Sequence, residues 1–237
     1  MIKTRFISVL LTLISVLANG QQVKKNVLDS VQQLDEIILK ANTILGNKFV
    51  AQNRTGAAYF LSAADLNKFG NTDINRALRE VPGVTLYEED GFGLRPNISL
   101  RGTSPQRSSK ITLMEDGVLV APAPYSAPAA YYCPSISRME AVEILKGSSQ
   151  VQYGPFTTGG AINLVSTSIP DSLRIHLRSR YGSFNTGQLY ASLGHSSERL
   201  GYVVEYQNNR SNGFKQLNNQ NTGFDSTDLM GKIRLSS

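Results

Sequence analysis

The stretch RMEAVEILKGSSQVQYGPFTTGGAINLV, residues 138–165, decides the fold. Met139 to Leu145 and Ala161 to Val165 are short apolar runs with strand character. Between them stand Gly147, Gly154, Gly159 and Gly160, placed for turns or close packing rather than for cradling a phosphate, since no Walker lysine follows. Working outward, Ile111 to Glu115 and Val118 to Ala121 flank Asp116-Gly117, the strongest short-range hairpin signal. Asn97 to Arg101 supplies another short strand. Asp73 is placed to cap a helix through Glu80, with Ile74, Ala77, Leu78 and Val81 on one face, and Pro82-Gly83 ends it. Pro122, Pro124 and Pro128 force an irregular loop containing Tyr125. Residues 51–170 therefore predict an α+β domain, a small mixed β-sheet with short helices.

Past Asp171 the texture changes to strict alternation. Leu173, Ile175 and Leu177 alternate with Arg174, His176 and Arg178, and Arg180-Tyr181 continues the run. Leu189, Ala191 and Leu193 form a second set, Leu200 to Tyr206 a third, and Leu229 to Leu235 a fourth. Period-two segments of roughly ten residues are the signature of transmembrane antiparallel β-strands. A soluble antiparallel sheet with one wet face has the same period. The connections are short at 183–186 and 196–198 and long and polar from Asn208 to Asp225, so tight turns on one side and a long loop on the other are expected. Arg174, His176, Arg178 and Arg180 share one face, where they meet either acids such as Glu140 and Glu143 or water.

Upstream, residues 21–50 are polar with scattered aliphatics. Val31, Leu34, Ile37, Ile38, Ala41, Ile44 and Leu45 have helical spacing, with Ser30 and Gln33 placed as a capping box. An extended tether is the alternative. The first twenty residues have a secretory leader's form: Lys3 and Arg5, an apolar run from Phe6 to Leu17, then Ala18-Asn19-Gly20, with cleavage expected before Gln21. Export follows, and the apolar run is short of the ~20 residues that span a bilayer.

Composition narrows the chemistry. The 237-residue chain has one cysteine, Cys133, and two histidines, His176 and His195, which excludes a disulfide framework and a cysteine-based zinc cluster. The lone thiol is expected to be reduced, buried and inert. Removing Lys3 and Arg5 with the leader leaves 22 basic against 18 acidic residues, a net +4 too diffuse to imply nucleic acid. No Gly-x-Ser-x-Gly elbow accompanies either histidine, so no enzyme is expected. No cofactor is implied.

Several motifs run in order: Pro82-Gly83-Val84, Asn97 to Gly102, Met114-Glu115-Asp116-Gly117, Arg138 to Gly147, Tyr153-Gly154-Pro155 and Gly159 to Val165. Together they resemble the plug domain of TonB-dependent outer-membrane receptors. The stretch from Ala121 to Pro128 is similar to the subgroup that takes up ferric dicitrate and related chelates, although Ala127 stands where that pattern commonly has glutamine nearby. The resemblance implies a plug inside a barrel of typically 22 strands, in the cell outer membrane, taking up a ferric chelate. It implies TonB, with its inner-membrane energising complex, as the partner supplying work. Leu34-Asp35-Glu36-Ile37-Ile38-Leu39-Lys40-Ala41 resembles the TonB box, which TonB would grip by β-augmentation.

By the same resemblance Arg101, Gln106, Arg107 and Tyr125 are candidate chelate contacts, with an ion pair inside the plug or to the barrel as the structural reading of Arg101 and a solvated loop charge as that of Arg107. With only about a dozen residues between the expected cleavage point and Leu34, no N-terminal signalling domain is expected. About four strands cannot close a barrel, so the resemblance makes this chain either part of a longer receptor or a truncated, non-transporting product. A free-standing periplasmic plug-like binding module is the alternative. The expected division is 1–20 leader, 21–50 tether, 51–170 plug and 171–237 first barrel strands.

Overall fold

A computed structural model describes residues 43–68, 73–121, 129–154, 158–217 and 220–235. The leader, the TonB-box-like segment Leu34–Ala41 and Tyr125 lie outside the described residues. Of the aliphatic stretch expected to be helical or extended, Thr43 to Leu45 are described, and they are not helical.

Five strands make a mixed sheet: β1 (Ala57–Ser62), β4 (Ile111–Glu115), β5 (Val118–Ala121), β6 (Met139–Lys146) and β7 (Gly160–Ser166), in the order β1-β6-β7-β4-β5. Helices α1 (Lys48–Asn53), α2 (Ala63–Lys68) and α3 (Ile74–Leu78) and a two-stranded ladder of β2 (Val84–Leu86) with β3 (Ile98–Leu100) surround it. The expected strands are present. The sequence pattern does not single out α1, α2, β1 or β2. Helix α3 starts where predicted, the Asp73 carboxylate accepting the Arg76 N–H at 3.0 Å.

The central strands lack alternation because both faces of the sheet are covered. On one face Val142, Ile144, Ile162 and Leu164 pack against Ala77, Leu78, Ile98 and Leu100. On the other, Leu145, Ala161 and Met114 lie beneath Leu45 and Ala51. Glu143 faces this second side, fully buried, between Phe60 on β1 and Asn163 on β7. Full burial of each large aliphatic contributes about 1.5–3 kcal/mol. Gly160 lets the layers meet, since a Cβ there would stand 2.1 Å from Leu100 Cδ1 and 2.6 Å from the Leu145 carbonyl. The β4–β5 turn has φ 50° at Asp116 and 79° at Gly117, the left-handed pair that a tight hairpin requires.

A second sheet has the order β13-β10-β9-β8, built from β8 (Arg174–Gly182), β9 (Thr186–Ser196), β10 (Leu200–Ser211) and β13 (Phe224–Leu235), all antiparallel. A small pair, β11 (Gln216–Leu217) and β12 (Gln220–Asn221), decorates the long connection. Ile175, Leu177, Leu229, Ile233 and Leu235 are 69–80% exposed on the outward face, while Tyr190, Val203, Glu205 and Gln207 are buried on the inward one. The expectation of tight turns opposite the long loop needs correction. Four antiparallel strands put the first and third connections at one end, and the Asn212 N–H donates to the Phe184 carbonyl at 2.9 Å. The 183–185 turn therefore accompanies the long loop, and the 197–199 turn stands at the other end.

Candidate functional site: a basic cleft and a bonded seam

The chain around Arg107 is held in an unusual conformation. Arg107 and Ser108 have φ of 53° and 51°, left-handed values that cost a non-glycine residue about 1–3 kcal/mol and persist where surroundings enforce them. The enforcing bonds are visible. The Arg107 N–H donates to Asn97 Oδ1 at 2.7 Å, and the Ala130 N–H donates to the Arg107 carbonyl at 2.8 Å. The buried Ser108 hydroxyl donates to the Pro96 carbonyl and accepts the Ile98 N–H, both at 2.9 Å. The loop is thus fixed to the start of β3, and Gln106 and Arg107 line an open cleft of about 730 Å³ with Arg95, Ser109, Lys110, Ala129 and Tyr131.

Charge in this cleft is one-sided. Arg95, Arg107 and Lys110 are all lining residues, and Glu89 approaches Arg107 Nη1 from one side at 3.5 Å. Three cations with a tyrosine and a glutamine are groups able to give an anion charge-assisted hydrogen bonds, the strong kind. The Glu89 carbonyl also accepts from Lys215 Nζ at 3.1 Å, which ties the cleft's neighbouring loop to the long 212–223 connection.

Arg101 is elsewhere. Its φ is 57°, its N–H donates to the Gly83 carbonyl at 3.1 Å, and its guanidinium lies against Gly147. Among the described residues no carboxylate pairs with it. Burial and then the Arg101 charge push the Lys146 ammonium below its ordinary value, while Lys146 donates to the Pro82 carbonyl. The structure therefore unites Gln106 and Arg107 and leaves Arg101 outside their cleft. Arg95, Lys110 and Tyr131 were missed. Lys110 ends the polar loop that follows Thr103, which is a faint signal, whereas Arg95 and Tyr131 arrive from other loops and have none.

A seam joins the two sheets. Lys232 Nζ on β13 reaches Asp116 Oδ2 at 2.8 Å and the Thr167 carbonyl at 3.0 Å. Gln207 on β10 donates to the hydroxyls of Ser135 and Ser137. Behind it, buried Arg138 pairs with Glu115. The basic row of β8 does face inward, with Arg178 lying 5.8 Å over the Tyr190 ring. It does not pair with the acids suggested for it. Glu140 accepts from the Ser168 hydroxyl at 3.1 Å, and Glu143 is enclosed within the first domain.

A family model of the TonB-dependent receptor plug domain matches residues 50–161. This chain carries a TonB-dependent receptor plug. The likeness to solved structures runs past the plug into the antiparallel strands that follow it. The ferric citrate transporter FecA in its unliganded form superposes with a TM-score of 0.68 over 81% of this chain at 26% identity. The ferric yersiniabactin uptake receptor FyuA from Yersinia pestis gives 0.61 over 82% at 22% identity. The siderophore receptor PirA from Pseudomonas aeruginosa gives 0.53 over 77% at 20%, and like FyuA it speaks to the fold alone. The chain spans 30% of the length of FecA and of FyuA and 33% of that of PirA. In plug terms, the cleft is built from its loops and the seam joins it to the wall.

Proposed function

We propose that this polypeptide works as the N-terminal part of an outer-membrane receptor that takes up an anionic ferric chelate, siderophore or dicitrate-like, using work delivered by TonB. The observation that supports it most directly is the seam. One polypeptide supplies a plug and, hydrogen-bonded to it through Lys232 and Gln207, strands that are polar inward and apolar outward. That division of faces is what lipid outside and a plugged lumen inside demand. Arg95, Arg107 and Lys110 with Gln106 and Tyr131 form the chelate's first landing site, and Tyr125 stays a candidate contact on the sequence resemblance. Leu34–Ala41 is the handle for TonB.

The handle is tested by capture on an immobilised TonB C-terminal domain. The chain is retained, and Ile37→Pro is not, because proline deletes a backbone donor needed for strand addition. Equal retention of both proteins overturns the assignment of the handle.

A further inference from the structure

We propose that Glu143 is a latch: it holds the strap Thr43–Asn47 on the second face of the plug sheet and sets how readily the N-terminal segment comes free. The partner that draws on that segment rests on the reading above; the latch itself rests on geometry. The Glu143 carboxylate is fully buried, and no cation pairs with it among the described residues. Its charge is met by N–H donors instead. Glu143 Oε2 accepts from Ile44 N at 2.7 Å and Asn163 Nδ2 at 2.8 Å, and Oε1 accepts from Leu45 N at 2.9 Å and Gly46 N at 2.7 Å.

Three of these four donors are consecutive backbone N–H groups of one strap, converging as such groups do around an anion. Gly46, at φ 80°, supplies the left-handed turn that bends the third toward the carboxylate. The fourth donor is fixed independently, since Asn163 Oδ1 accepts the Gly117 N–H at 2.8 Å. Lifting the strap would therefore strip the carboxylate of most of its donors together and uncover Met114, Leu145 and Ala161. A buried charge without donors is costly, so partial departure is disfavoured and the strap leaves as a unit. In chain order the strap follows Leu34–Ala41 and precedes β1. A load on that segment reaches the Glu143 bonds before any strand of the sheet.

The test uses the whole chain in detergent micelles. Hydrogen exchange at the Ile44, Leu45 and Gly46 amides is expected to accelerate about tenfold or more in Glu143→Gln, with the β7 amides unchanged. Ile44→Pro removes one strap donor without touching β6 or β7, and accelerates Leu45 and Gly46 alike should the first variant not fold. Retention on the TonB domain is expected to rise in the same variants. Strap amides that exchange at the wild-type rate in a folded variant overturn the latch. Faster exchange with equal, measurable retention overturns its control of the handle. Faster exchange with no retention by any of the proteins, wild type included, supports the latch and removes the partner.

Discussion

Arg107 shows how a single side chain acquires a role through its backbone. Its left-handed conformation is held by Asn97 and Ala130, so the backbone that carries the guanidinium to the cleft has little freedom left to lose on binding. Arg107→Ala is expected to weaken binding about tenfold, the equivalent of ~1.4 kcal/mol, for whichever anionic ferric chelate of a test panel the wild-type chain binds, in a titration followed by tyrosine fluorescence. Unchanged affinity removes Arg107 from the site. Cys133 is the opposite case, a residue withdrawn from chemistry. It is half-buried rather than fully buried as its solitude suggested, but burial pushes its thiol up to about 12. Iodoacetamide at pH 8 is expected to label it at least about tenfold more slowly in the folded chain than in guanidinium, as thiolate chemistry requires. Gln106 and Arg107 were named through the family resemblance, and one polar loop carries both to the cleft. Arg95 and Tyr131 were not, because the cleft is assembled by tertiary contacts that no local pattern encodes.

Elements were legible in proportion to how far their own residues decide them. Asp116-Gly117 announces the β4–β5 hairpin because few residue pairs accept two left-handed conformations in succession. Strand β1 had no comparable signal: it is an edge strand whose side chains are mostly half-buried, so no clean alternation marks it. The hairpin also holds a pH-sensitive tie. Burial alone would raise the Asp116 carboxyl, but hydrogen bonds from Lys232 and from the Ser166 hydroxyl and N–H keep it below the ordinary aspartate value. A carboxyl lowered by folding stabilises while ionised. The contribution is complete above the unfolded value of about 3.9 and is lost as pH falls through the lower folded value. Melting in detergent is expected to show wild type losing stability below about pH 4 more steeply than Asp116→Asn. Parallel acid limbs for the two proteins would contradict the tie.

For the molecule as a whole, the outward face of the second sheet is the dominant physical fact. Leu229 and Ile233 are at least 75% exposed, beside edges of β8 and β13 that have no described neighbour. Such a surface aggregates in water and is at rest in lipid. Leu229→Arg, near the middle of β13, is expected to destabilise membrane-inserted protein by about 2–4 kcal/mol more than an inward substitution such as Met230→Gln measured in the same membrane. A cost below that of the inward change would argue against lipid on this face. The alternation that marked these strands was readable because both solvents, hydrocarbon and a polar interior, act on every second residue. The alternation alone left open a wet soluble face or a membrane one; the plug docked on the polar side leaves the apolar face outward, and the Leu229→Arg comparison tests what covers it.

The order β1-β6-β7-β4-β5 also determines how the stopper would come apart under tension. β1 is the rim of its sheet, bonded to β6 alone, and comes directly after α1. Extraction from the amino end therefore draws thread from the margin of the weave, and β6 to β5 remain knitted while the first gap forms beside them.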